Sequence, residues 1–266
     1  MLKSNKFAYR PRKRRYPILI YFTLVVAGLA AGALNAVAGG GTFLSFPALV
    51  WAGVPPVMAN ATATLSALPG YLGSAWGFRS DIRSDGPLRL KAMLLITTVG
   101  GFLGALLLLV TSSEMFSAIV PWLLLLATVT FAAGPALLRR MTERATHGPG
   151  YLLSAALLFC VAIYGGYFNG GLGIMLLAVF GLIGFTDLNA MNGLKNIISA
   201  ILSLVSVATY TTAGLIDWTY AVPLSIATAV GGLLGAALAR RITNPTALRA
   251  FITLVGGAMT IAFFVL

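Results

Sequence analysis

The sequence predicts an all-α polytopic membrane protein made of two homologous halves, with glycine-broken helices meeting near the bilayer midplane. Three observations carry that prediction. First, 59% of the 266 residues are hydrophobic and 9% charged, with a mean hydropathy of +0.93. A soluble domain has about 45–50% apolar and about 25% charged residues. Second, no charged residue lies between Arg15 and Arg79. A membrane helix takes about 20 apolar residues, so this run crosses more than once. Third, the chain repeats itself at an offset of 131–134 residues. Composition also excludes other classes. Disorder needs low hydrophobicity. One cysteine and one histidine leave no disulfide framework and no metal site, and no cofactor is implied.

Residues 1–17 form a basic N-terminal segment. Seven bases (Lys3, Lys6, Arg10, Arg12, Lys13, Arg14, Arg15) fall in the first 15 positions, and without them the net charge drops from +12 to +5. A terminal cluster of this kind reads as a cytoplasmic anchor beside anionic lipids, not as a nucleic-acid surface. A signal peptide cut near Ala36-Val37-Ala38 is the competing reading. The apolar stretch runs on past that point, and cleavage there would sever the glycine motif that follows.

The first repeat covers 18–138, with apolar segments at 18–38, 41–52, 57–78, 90–110 and 116–138. Residues 139–150 are a linker assigned to the cytoplasm. The second repeat covers 151–266, with segments at 151–168, 170–183, 189–213, 220–239 and 247–265. Segments 41–52 and 170–183 are too short for full spans and read as half-helices or re-entrant pieces. The basic stretches Arg79–Lys91, Arg139–Arg144 and Arg240-Arg241 are expected to face the cytoplasm. The loops near Glu114 and Asp217 lack bases and should face the other side. With a cytoplasmic N-terminus, residues 18–52 must then cross an odd net number of times and 151–183 an even number.

The repeat is clearest where Val99-Gly-Gly-Phe-Leu-Gly-Ala-Leu-Leu107 aligns with Val230-Gly-Gly-Leu-Leu-Gly-Ala-Ala-Leu238. Glycines four apart suit close helix packing, within one chain or across a homodimer. Duplicated halves are common in secondary transporters, whose substrates bind where broken helices meet. The acidic loop near Asp217 aligns with the basic loop at 79–91, which favours inverted halves.

Three stretches are candidates for binding. Asn35 precedes Gly39, Gly40, Gly41 and Thr42. A helix restarting at Thr42 would offer free N–H groups and partial positive charge to a small anion; a close helix crossing without a ligand is the alternative. Asn169 with Gly170 and Gly171 repeats that pattern at the duplicated position. Asn192, Lys195 and Asn196 share a helix face. A lysine inside a membrane helix costs about 2.5–3.5 kcal/mol on insertion scales, so it needs a partner, a cavity or a route to the interface. It either snorkels towards Asp187 or anchors an anion. The first half has Ala63 at the aligned position, with Asn60, Thr62 and Thr64 beside it. His147 reads as a solvated loop residue and Cys160 as buried apolar filler. The tryptophans 51, 76, 122 and 218 fall near span ends, as an aromatic belt does. No His–carboxylate or Cys–His pair supports an enzyme, and few carboxylates are available for a proton relay.

These motifs resemble the sulfite exporter TauE/SafE family. The resemblance rests on Asn35-Ala-Val-Ala-Gly-Gly-Gly-Thr-Phe-Leu-Ser-Phe-Pro47 and Gly53-Val-Pro-Pro-Val-Met-Ala-Asn60-Ala-Thr62 in the first half. In the second it rests on Tyr164-Gly-Gly-Tyr-Phe-Asn-Gly-Gly-Leu-Gly173, Met191-Asn-Gly-Leu-Lys-Asn196 and Gly214-Leu-Ile-Asp-Trp218. It implies a bacterial inner-membrane carrier that exports sulfite or an organosulfur anion such as sulfoacetate by alternating access. The residues it implicates are Gly39–Gly41, Asn60, Thr62, Lys195 and Asn196. An importer or channel for another small anion is the alternative.

Overall fold

A computed structural model of the chain describes residues 17–37, 39–83, 86–144, 150–239 and 245–265. The described residues fold into α1 (Pro17–Val37), α2 (Thr42–Trp51), α3 (Pro56–Gly77), α4 (Leu90–Val110) and α5 (Ser113–Arg144), then α6 (Tyr151–Tyr167), α7 (Leu172–Leu182), α8 (Leu188–Thr212), α9 (Trp218–Ala239) and α10 (Pro245–Val265). No strand occurs among them. Each of the ten apolar segments is a helix. Five helices are long and apolar enough to cross a membrane, in α1, α4, α5, α8 and α9. The main boundary difference is α5, which continues through Arg144 into the expected linker. Its extension, Arg139-Arg-Met-Thr-Glu-Arg144, is mostly Arg, Met and Glu, all good helix formers. The basic N-terminal residues through Arg15, His147 and Arg240-Arg241 lie outside the described residues, and Cys160 is exposed on α6 rather than buried.

The short segments are the return arms of hairpins. At 10 and 11 residues, α2 and α7 are about 15 Å long. Gly41 lies against the Ala31 carbonyl and the Asn35 side chain, so α2 turns back along α1. Gly165 lies against Leu172, and α7 likewise folds back on α6.

Glycine contacts fix how the longer helices run. Gly28 faces Leu224 and Ala227, Gly32 faces Thr228 and Gly232, and Gly235 faces Ala33. Helices α1 and α9 are therefore parallel. Ser66 and Ser74 donate to the carbonyls of Ala221 and Gly232, each at 3.4 Å, so α3 is parallel to α9. Gly100 faces Ala162, and Gly104 faces Ile163 and Gly166, making α4 and α6 parallel. In contrast, Gly193 near the start of α8 meets Phe78 and Ile82 just past the end of α3, so α3 and α8 are antiparallel. The glycine-rich faces of 99–107 and 230–238 thus pack inside the chain, on α6 and α1. Absent Cβ atoms let backbones approach where apolar burial gives no advantage over lipid.

These directions define two faces. On one, the Tyr21 and Tyr220 rings sit 6.0 Å apart and the Asp217 N–H donates to Thr62 Oγ1 at 3.0 Å. The starts of α1, α3 and α9 are therefore level. On the other face, Arg83 pairs with Asp187 at 3.0 Å, joining the end of α3 to the start of α8. Residues 17–55 begin and end on the first face. The odd number of crossings expected for 18–52 is not met, because the α1–α2 hairpin enters and returns. Consequently a cytoplasmic start of α1 and a cytoplasmic loop at 79–91 exclude one another.

Candidate functional site

The hairpin tips meet at two glycines. Gly39 adopts φ +84°, a left-handed conformation that glycine takes at no steric cost. Its N–H donates to the Leu34 carbonyl at 3.0 Å, closing the end of α1. A Cβ on Gly173 would stand 2.5 Å from Gly39 Cα, so only backbone fits between the tips. Asn35, buried within α1, accepts from the Gly41 N–H at 2.7 Å and holds the turn shut. In the second tip Gly171 is left-handed, at φ +74°, and the Tyr164 hydroxyl donates to the Gly170 carbonyl at 2.5 Å. Two helix N-termini, at Thr42 and Leu172, therefore start beside the contact. Each turns the positive end of a helix dipole towards the contact, while its first-turn N–H groups are largely taken, those of Phe43, Leu44 and Ser45 by the Gly40 and Gly41 carbonyls and those of Leu172, Ile174 and Met175 by Asn169 and Gly171.

Lys195 reaches this point from α8. Its side chain is fully buried. The ammonium donates to the Asn192 side-chain oxygen at 2.7 Å and to the Ala36 carbonyl at 3.3 Å. A Cβ on Gly173 would stand 3.1 Å from Lys195 Cδ, so the bare tip also makes room for the lysine. Among the described residues no carboxylate pairs with it. The snorkelling alternative therefore fails: the Lys195 ammonium ends buried against Asn192 and α1 and does not reach the surface. Asp187 instead caps α8, accepting from the Asn189 and Ala190 N–H groups. A buried ammonium held only by neutral oxygens keeps most of its desolvation cost uncompensated.

Neutral donors surround the tips. Asn169 links α3 to α8, accepting from the Tyr71 hydroxyl and donating to Ser203 Oγ, both at 3.2 Å. Both polar atoms of the Asn196 side chain, together with Thr42 Oγ1 and Ser199 Oγ, are buried without a protein partner. Such groups are rare in native proteins and call for an account. The structure thus brings Asn35, Gly39, Gly40, Gly41, Thr42, Asn169, Gly170, Gly171, Asn192 and Lys195 to one place. Asn60, Thr62 and Thr64 lie towards the opposite face. There Asn60 donates to the Tyr167 carbonyl at 3.0 Å, Thr64 donates to the Asn60 carbonyl at 2.8 Å, and the Thr62 oxygen takes the Asp217 N–H.

Sequence reasoning missed Tyr71, Ser199, Ser203, Ser206 and Tyr210. The signal was present in α8, where half-buried Asn192 and buried Lys195, Ser199, Ser203, Ser206 and Tyr210 recur every three or four residues along one stripe. Chemically, the site concentrates one cation, two helix N-termini and several hydroxyl and amide donors. Among the described residues no negative group faces it.

Comparison with known proteins places the chain in a family. The profile of the family described as sulfite exporter TauE/SafE matches residues 24–263. The chain belongs to the sulfite exporter TauE/SafE family. It is 30% identical over 215 residues to a probable membrane transporter protein of Haemophilus influenzae, covering 80% of this chain and 82% of that one. It is 29% identical over 224 residues to the probable membrane transporter protein YfcA of Escherichia coli, covering 84% and 81%. It also matches the probable membrane transporter protein ORF9 of a Sinorhizobium species, at 30% over 177 residues, spanning 63% of that chain. The protein is a multi-pass membrane transporter of the TauE/SafE family.

Proposed function

We propose that this TauE/SafE-family protein is a secondary carrier that exports a small anion, sulfite or an organosulfur anion such as sulfoacetate, across a bacterial cytoplasmic membrane. The observation that carries this reading is Lys195, buried with no counter-charge among the described residues beside two helix N-termini. An anion there would supply the missing negative charge and accept from Asn196, Ser199 and Thr42, whose polar atoms lack protein partners. The family name supports a sulfur oxyanion as cargo.

Alternating access is the mechanism we favour. It draws support from helix directions. If α3 and α8 are equivalent elements of the two halves, their antiparallel course relates the halves by inversion. The α1–α2 and α6–α7 hairpins then enter from opposite faces, and rocking one half against the other would open the tips to each side in turn. Expelling an anion from a negative-inside cell is favoured by about 2.3 kcal/mol per charge per 100 mV.

The test is flux of sulfite, sulfoacetate and acetate from proteoliposomes. Truncating one partner of a buried charge pair costs about 2–5 kcal/mol, so Lys195→Ala should cut flux at least thirtyfold at matched protein level. Saturable flux with counterflow distinguishes a carrier from a channel. Wild-type flux that survives in Lys195→Ala would overturn the role given to the lysine.

A further inference from the structure

A second group of unpartnered polar atoms lies on the other side of the hairpin tips. Asn60 Oδ1, the Tyr167 hydroxyl and Ser206 Oγ are buried with no protein partner. The Asn60 side chain, the backbone at Gly166-Tyr167 and the Ser206–Tyr210 turn share one locality, and the Tyr167 ring leads from it to Phe116, 5.8 Å away. The Asn60 amide donates to the Tyr167 carbonyl at 3.0 Å, and the Tyr210 hydroxyl, one turn beyond Ser206 on α8, donates to the neighbouring Gly166 carbonyl. Asn60 and Ser206 are fully buried, and Tyr210 is 1% exposed. Ser206 lies eleven positions after Lys195 on α8, about 16 Å along the helix axis.

We infer that Asn60, Tyr167, Ser206 and Tyr210 form a second, uncharged station for the transported oxyanion, between the Lys195 site and the face bearing loop 213–217. The inference rests on the anion-carrier reading above. Unsatisfied polar groups at membrane depth are tolerated where they line a water-filled or ligand-filled path. Here the unpartnered set is mixed. The Tyr167 and Ser206 hydroxyls donate to anionic oxygen, and the Asn60 oxygen accepts from bound water or from a protonated oxyanion. Without a cation, the station holds the anion less tightly than Lys195 does. That difference suits a step on the way out, because an anion held by a buried ammonium leaves slowly unless other donors take it over.

The test separates the station from the lysine site. In a Cys160→Ala background, Ser206→Cys and Leu202→Cys are exposed to a small sulfonate-bearing methanethiosulfonate reagent, with and without sulfite. Leu202 is fully buried in a purely apolar cluster and serves as the dry control. Ser206→Cys should react at least about tenfold faster than Leu202→Cys, and sulfite should slow it. In flux assays, Tyr167→Phe combined with Ser206→Ala should lower maximal sulfite flux about tenfold, the equivalent of one lost buried hydrogen bond. Equilibrium sulfite binding to the purified variant should change less than about twofold, because the Lys195 site is intact. A Ser206→Cys as inert as Leu202→Cys, or labelled without any protection by sulfite, overturns the station. A wild-type protein that moves none of the anions while Ser206→Cys is labelled and protected overturns the carrier reading and leaves the binding station standing.

Discussion

If the hairpin tips touch through backbone alone, adding one methyl group at each of three glycines should produce a graded loss of stability, with a fourth glycine as the control. At Gly173 a Cβ would sit 2.5 Å from Gly39 Cα and 3.1 Å from Lys195 Cδ. The lysine tail can shift, but the backbone cannot retreat without moving a hairpin. Overpacking of this kind costs about 1–3 kcal/mol. At Gly39 the same clash is joined by φ +84°, and a left-handed non-glycine residue costs about 1–2 kcal/mol more. Gly214 isolates the second effect, since it is left-handed at φ +69° with nothing within 4 Å of a new Cβ. Gly257 has open space and an ordinary helical backbone, so alanine there should be neutral or stabilising. For a chain this size each kcal/mol moves the melting midpoint about 2–4 °C. Thermal unfolding of the purified protein should therefore fall by about 3 °C for Gly214→Ala, about 6 °C for Gly173→Ala and about 9 °C for Gly39→Ala. A Gly173→Ala protein that melts with Gly257→Ala would refute contact between the tips.

Three further outcomes are expected. Gly32→Ala and Gly104→Ala place a Cβ onto the Thr228 and Ile163 carbonyls, so each should destabilise the monomer by about 1–3 kcal/mol; normal melting with an altered oligomeric state would move those faces to a contact between copies. The Asp187 carboxyl is held below its ordinary range, chiefly by the Asn189 N–H, with help from Ala190 and Arg83. Because its folded pKa is depressed, its contribution is complete above about pH 4, its unfolded value, and disappears as pH falls through the folded pKa. Asp187→Asn should flatten stability over that acid window, and an unchanged profile would remove the cap from the account. Orientation follows from labelling Ser80→Cys and Thr219→Cys, which lie on opposite faces and are exposed. Arg79, Arg83, Arg89 and Lys91 cluster on the Ser80 face, so cytoplasmic labelling is expected at Ser80 and external labelling at Thr219. The reverse would show that the basic N-terminal segment sets the topology.

The helices were legible because apolar runs and glycine or proline breaks coincide in this chain, as at Gly39–Gly41 and Pro55-Pro56. Lys195 was legible because a lone base between apolar runs is conspicuous. The direction of its side chain was not, since snorkelling to Asp187 and burial against Ala36 begin from the same spacing. Crossing parity was also hidden. A helix of 21 residues followed by one of 10 reads equally as one and a half spans or as a hairpin. Only the contact of Gly41 with Ala31 and Asn35 decides between them. Serines of α8 were overlooked for a related reason. Small residues on a membrane helix usually serve packing, and Ser66 and Ser74 do so against α9. Ser199 and Ser206 instead keep unpartnered oxygens, a difference that depends on what stands opposite.

The position of Lys195 along α8 has an electrical meaning. The ammonium belongs to the eighth of 25 helical residues, about 10 Å from the Asp187 end and about 26 Å from the Thr212 end. Charge crossing the whole membrane experiences about 2.3 kcal/mol per 100 mV. If the field falls evenly along the helix, an anion arriving from the Asp187 side traverses about three-tenths of it, or about 0.7 kcal/mol per charge. One arriving from the other side traverses the remaining 1.6 kcal/mol or so. Membrane voltage would then alter the apparent affinity about threefold from one compartment and about fifteenfold from the other. If the cargo is the proposed anion, a site placed off-centre makes the protein respond unequally to membrane voltage from its two sides.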